Sequence, residues 1–129
     1  MIYLDSSVVL AAIFAEEQTP GPAFWGQRLV SSRLLEYEVL NRVWVRGLDP
    51  AKQSMVRRII SGVEMTELTP QVLARALAPF PIPVKTLDGL HLATMDYLRA
   101  NGQTFRLASY DKRLIAAASA IGVAIAAGL

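Results

Sequence analysis

Four carboxylates stand in four separate stretches of the chain: Asp5 and Asp111 at the ends of predicted strands, Glu38 about two turns into a predicted helix and Asp88 in the first turn of another. Hard oxygen donors of this kind suit Mg²⁺ or Mn²⁺. A cation so held makes a water nucleophilic and holds a phosphate for in-line attack. Each acid also has a purely structural reading. Asp5 suits a turn or a cap. Asp88 and Asp111 suit first helical turns, where a carboxylate offsets the helix dipole by about 0.3–1 kcal/mol. Glu38 stands four residues before Arg42, the orientation of a favourable helix pair. None of these readings explains why all four fall at one rim of the predicted sheet, where like charges repel unless a cation binds them.

Composition removes most other chemistries. Among 129 residues there is no cysteine and one histidine, His91. That excludes disulfide scaffolds, thiolate zinc sites and multi-histidine metal centres. No Gly-Lys-Ser/Thr phosphate loop and no Gly-x-Gly-x-x-Gly turn is present, which argues against nucleotide-dependent chemistry. With 53% hydrophobic and 19% charged residues the chain is expected to fold as one domain over residues 1–129. It opens Met1-Ile2-Tyr3-Leu4-Asp5 with no basic leader, so a cytoplasmic location is expected. The weakly polar tail from Ile115 to Leu129 is shorter than the ~20 apolar residues of a membrane span.

Several elements must position the acids. A strand over residues 2–4 stops at Asp5, and Ser6 is the expected cap of a helix over residues 8–15. The Pro20-Gly21-Pro22 segment breaks it, a short helical piece follows, and residues 29–31 read as a second strand. Ser32 is expected to cap a helix carrying Leu35, Val39, Leu40 and Val43, closed by Gly47. Asp49-Pro50 and Thr69-Pro70 each open a further helix, with a third strand over 63–68 between them. Residues 87–100 form a strong helix, 105–109 a fourth strand, 111–121 a helix and 123–126 a fifth strand. Alternating strands and helices imply a three-layer α/β/α sandwich, with a central parallel sheet of four to five strands and helices on both faces. In such sheets ligands bind beyond the carboxyl ends of the strands, where strand order reverses. Asp5, Glu38, Asp88 and Asp111 all fall near that rim.

The order and spacing of Ile2-Tyr3-Leu4-Asp5-Ser6, Ser32 with Glu38, Leu87-Asp88-Gly89-Leu90-His91-Leu92-Ala93-Thr94, Ser109-Tyr110-Asp111 and Gly122-Val123 resemble the PIN-domain ribonucleases. Within that group the chain looks most like the VapC toxins of toxin–antitoxin pairs. The resemblance implies that Asp5, Glu38, Asp88 and Asp111 are the acidic quartet that binds Mg²⁺ or Mn²⁺, with Ser6 and Ser109 as hydroxyls behind it. It implies endonucleolytic cleavage of RNA, a small cognate antitoxin as partner, and a homodimer. At one point the chain departs from some relatives: Lys112 and Arg113 follow Asp111 where those carry a further acid, which counts against a second metal site.

There are 13 Lys and Arg against 11 Asp and Glu, and ten of the 13 are arginines. Setting the quartet aside leaves 7 acids against the 13 bases. Arg42, Arg46, Lys112 and Arg113 are therefore candidates to line an RNA phosphate path. His91 is expected to pack or hydrogen-bond, Asp96 to be a surface acid, and Trp25 and Trp44 to lie in the core or an interface. Surplus apolar groups on the helices at 33–46 and 50–61 point to a partner surface. Two alternatives stand beside the nuclease reading. One is a catalytically silent binding module of the same fold. The other is a different carboxylate or metal phosphohydrolase, although Ser7 stands where an aspartyl phosphatase needs its second acid.

Overall fold

The computed structural model describes residues 1–47 and 49–129. Five strands, β1 (Ile2–Leu4), β2 (Leu29–Ser32), β3 (Val63–Thr66), β4 (Arg106–Ala108) and β5 (Ala124–Ile125), form one sheet in the order β3-β2-β1-β4-β5. Every pairing is parallel. β1 is central and wholly buried, which is why it reads as an unbroken apolar run rather than an alternating one.

Side chains leave a strand on alternate faces, and here the two faces have separate cores. Ile2, Leu4 and Leu29 pack with Val8, Val9 and Ile13 of α1 (Ser6–Ile13), Leu35, Val39 and Val43 of α3 (Leu34–Arg46) and Val56 of α4 (Pro50–Ser61). Tyr3, Val30 and Leu107 pack with Leu92, Met95 and Leu98 of α6 (Thr86–Ala100) and Leu114, Ala117 and Ala118 of α7 (Lys112–Ala120). The short α2 (Pro22–Trp25) contributes Phe24 to the first core, and α5 (Pro70–Leu77) packs on α6. The architecture is three-layer α/β/α.

Helix starts follow local chemistry. Asp49 Oδ1 accepts from Lys52 N–H at 2.8 Å and Thr69 Oγ1 from Val72 N–H at 3.3 Å, each just before a proline at the first helical position. Two caps differ from expectation. Arg33, not Ser32, is the N-cap residue of α3: Ser32 ends β2, and its Oγ accepts from Leu34 N–H at 3.1 Å. Asp5, extended at φ −89° and ψ 151°, is the N-cap of α1, and Ser6 is already helical. The acid that ends β1 therefore also starts α1.

Three packing expectations change. The apolar groups of α4 (Met55, Ile59, Ile60) pack on the first core and leave no surplus. Uncovered apolar groups lie on α3, as expected (Tyr37, Trp44, Val45), and also on α5 (Leu73, Leu77), with Trp44 70% exposed. Asp96 is no free surface acid: it is partly buried and clamped by Arg75 and Arg99, each at 2.8 Å. Among the described residues no helix is long and apolar enough to cross a membrane.

Candidate active site

Strand order runs outward from β1 toward β2 on one side and β4 on the other, so the carboxyl ends of β1 and β4 flank the crevice. Asp5 follows β1, and Ser109 and Asp111 follow β4. The chain leaves β2 into α3, which carries Glu38 one turn from its start, and α6 carries Asp88 in its first turn. All four carboxylates line one open pocket of about 860 Å³, with Ser6, Ser7, Arg42 and Lys85 also at its wall.

Their hydrogen bonds follow a pattern. Asp5 Oδ2 accepts from Ser7 Oγ at 2.6 Å, Ser109 Oγ at 2.8 Å and Ser7 N–H at 3.4 Å. Ser7 Oγ in turn accepts from Tyr110 N–H, and Ser109 Oγ from Asp111 N–H, both at 2.9 Å, so the ends of β1 and β4 are laced together. Asp111 Oδ1 caps α7, accepting from Arg113 N–H at 2.9 Å and Leu114 N–H at 3.3 Å. Glu38 Oε1 is 2.5 Å from His91 Nε2. Asp5, Glu38 and Asp111 thus each commit one oxygen to the protein and leave the other without a protein partner among the described residues. Asp88 commits neither.

Electrostatics tie the group together. Burial pushes the Asp88 carboxyl above its ordinary range, and the charges of Asp111, Asp5 and Glu38 push it further. Spare hard oxygens under mutual repulsion fit a divalent cation in donor type and charge. Among the described residues, though, no three His, Asp or Glu side chains are drawn close enough to grip an ion as they stand. The carboxylates line the pocket wall, and Asp88 has no hydrogen bond to break before it turns inward.

His91 is fully buried between Glu38 and Tyr3, whose hydroxyl is 2.7 Å from Nδ1. Burial holds the Tyr3 phenol far above its ordinary value, so it remains an O–H group. For His91, burial disfavours the charged ring, but the Glu38 hydrogen bond and the charges of Glu38, Asp5 and Asp88 outweigh it and raise the pKa. Nε2 carries a proton toward Glu38 in both states. In the neutral ring Tyr3 O–H donates to Nδ1; in the imidazolium Nδ1–H donates to the tyrosine oxygen. The Glu38–Arg42 helix pair is not formed, because Glu38 turns inward to His91.

The basic candidates divide. Arg42 reaches the acidic pocket, Arg46 lines an adjacent cleft, and Lys112 and Arg113 are exposed in the first turn of α7 outside both. Ser6 lines the pocket, but the hydroxyls on Asp5 are those of Ser7 and Ser109. A sequence signal for Ser7 exists: a serine two residues past an aspartate that ends a strand lies where an N-cap carboxylate can reach it. Lys85 carries no such mark.

From residue 2 to residue 120 the sequence matches the family model described as PIN domain. It is 30% identical to Ribonuclease VapC35 of Mycobacterium tuberculosis (strain ATCC 25618 / H37Rv), over 98% of this chain and 96% of that protein. It is 26% identical to Ribonuclease VapC47 of Mycobacterium tuberculosis (strain CDC 1551 / Oshkosh), over 95% and 93%. The fold resembles the crystal structure of PAE2754 from Pyrobaculum aerophilum, with a TM-score of 0.65 at 20% identity over 96% of this chain and 81% of that one. It also resembles a toxin–antitoxin complex from Klebsiella pneumoniae, with a TM-score of 0.64 at 15% identity over 93% and 94%.

Proposed function

The chain belongs to the PIN-domain family, and from that premise we propose that it is a divalent-metal-dependent endoribonuclease, the toxin of a toxin–antitoxin pair. The observation that carries the reading is the accounting of oxygens at the rim: four acids around one pocket, each with at least one oxygen left without a protein partner. Relatives named as ribonucleases support RNA as the substrate.

Asp5, Glu38, Asp88 and Asp111 would hold Mg²⁺ or Mn²⁺, which when bound supplies charge to make a water nucleophilic and to offset the phosphate. The rest is the work of the chain. Ser7 and Ser109 hold the Asp5 carboxylate in place by donating to it. His91 fixes the rotamer of Glu38, and two backbone amides of α7 fix Asp111. The amino ends of α1, α6 and α7 carry Asp5, Asp88 and Asp111, so their partial positive charge opposes the clustered negative charge and favours a phosphate at the same place.

In this reading the enzyme acts in the cytoplasm, as one domain, and pairs with a small antitoxin that covers the pocket. The like fold found in a toxin–antitoxin complex from Klebsiella pneumoniae supports such a partner. The uncovered apolar groups on α3 and α5 are surfaces such an antitoxin and a second copy would bury. Incubation with total RNA tests the core of it. Cleavage is expected with Mg²⁺ or Mn²⁺ and not with a chelator, and Asp5→Asn or Asp88→Asn should slow it by ~10²-fold or more. Cleavage at the parent rate by either variant would overturn the assignment.

A further inference from the structure

Beside the acidic pocket, and sharing Ser7, Leu10 and Arg42 with it, lies a second cleft of about 320 Å³. Arg42 and Arg46 of α3, Phe14 at the end of α1 and Tyr110 after β4 form its walls, with Glu16 and Gln18 at the rim. Residues four apart share a helix face, so Glu38, Arg42 and Arg46 make one stripe leading out of the acidic pocket into this cleft.

Three features mark the cleft as built for a ligand. Among the described residues neither Arg42 nor Arg46 is in an ion pair. The Arg46 guanidinium lies 4.4 Å above the Phe14 ring, which holds it in place while leaving its N–H groups available. The Tyr110 hydroxyl is buried with no hydrogen-bond partner, the one such side-chain atom among the described residues. A buried polar group left unpaired in a native fold calls for an explanation.

We propose that this cleft is a subsite for the RNA phosphate next to the scissile one, with Arg42 and Arg46 on its oxygens and the Tyr110 side chain turning on binding to donate its hydroxyl to the same nucleotide. The assignment rests on the nuclease reading. Two guanidiniums against the single Glu16 carboxylate favour an anion, and guanidinium suits phosphate recognition. The stripe from Glu38 to Arg46 favours a strand that continues out of the pocket over an acidic peptide seated in the cleft alone. The volume suits one nucleotide-sized group.

The test measures binding of a short labelled single-stranded RNA by the Asp88→Asn protein in Mg²⁺, so that cleavage does not interfere. Adding Arg42→Ala and Arg46→Ala should each weaken binding about tenfold. Together they should flatten the salt dependence of log K by about 1.4, the loss of two single-strand phosphate contacts. Tyr110→Phe should weaken RNA binding while leaving the melting temperature unchanged or higher, because the hydroxyl it removes is unpaired in the free protein. A merely structural tyrosine would lose stability instead. Unchanged RNA binding in all three variants would overturn the subsite, as would a polyglutamate peptide whose binding depends on these residues when RNA binding does not. If the parent cleaves RNA and the variants still bind it normally, the subsite falls and the nuclease reading stands. If the parent cleaves nothing yet RNA binding depends on these residues, the nuclease reading falls and the subsite stands.

Discussion

His91 Nε2 and Glu38 Oε1 meet at 2.5 Å at the base of the acidic pocket, joining α6 to α3 through a fully buried ring. A partner that fixes a ligating carboxylate contributes about 10–100-fold to metal affinity. His91→Asn, which withdraws the donor from Glu38, should lower Mn²⁺ affinity by about that factor in a calorimetric titration. His91→Gln places an amide N–H nearer to the lost Nε2 and should recover part of the loss. Equal, undiminished affinity in both variants would show that Glu38 is oriented by something else.

Asp88 makes stability depend on pH in an unusual direction. Its folded-state carboxyl is raised by burial and by Asp111, Asp5 and Glu38. The folded protein therefore holds that proton more tightly than the unfolded chain does. Its penalty is absent below the ordinary aspartate value and grows as pH rises through the raised one. Metal-free denaturation curves should show Asp88→Asn gaining stability over the parent across that window and keeping the gain above it. A constant difference at every pH would contradict the shift.

Asp111 has two roles that substitutions separate. Its Oδ1 caps α7, and its charge adds to the repulsion around Asp88. Asparagine keeps a capping oxygen, so Asp111→Asn should raise the metal-free melting temperature and abolish the stabilisation by Mn²⁺. Alanine loses the cap at a cost of ~1 kcal/mol and should melt about 3–5 °C below the asparagine variant. If asparagine melts lower than the metal-free parent, capping by the charged form outweighs the repulsion.

Much of the fold and the site is legible in the sequence because the strongest signals are local. Asp49-Pro50, Thr69-Pro70 and Gly47 punctuate helices through single-residue chemistry, and the observed ends agree. The placement of Asp5, Glu38, Asp88 and Asp111 on one pocket follows from chain direction alone, since a parallel sheet brings the ends of its strands to one rim. Features that depend on contacts across the chain are not legible in this way. The Tyr3–His91–Glu38 chain spans three elements, and no spacing predicts which way an imidazole turns. The same is true of Arg75 and Arg99 closing on Asp96, and of α4 placing its apolar face on the core while α5 leaves Leu73 and Leu77 uncovered.

Leu77 is 88% exposed on α5, beside exposed Leu73 and Ile82. With Pro79, Phe80 and Val84 these residues line an open groove of about 780 Å³ between α5 and α6. Tyr37, by contrast, borders the acidic pocket, so a second copy seated on the α3 face would crowd the substrate, whereas one seated on Leu73 and Leu77 would leave Asp5 and Glu38 open. The proposed homodimer is therefore expected at α5. In a two-fold interface one substitution acts on both copies, so a single buried charge counts twice. Sedimentation at micromolar concentration should show a dimer for the parent and a monomer for Leu77→Glu, with the Mn²⁺-induced rise in melting temperature retained. A dimer that survives Leu77→Glu and dissociates with Trp44→Glu would move the interface to α3. A monomeric parent would mean that neither face serves a second copy.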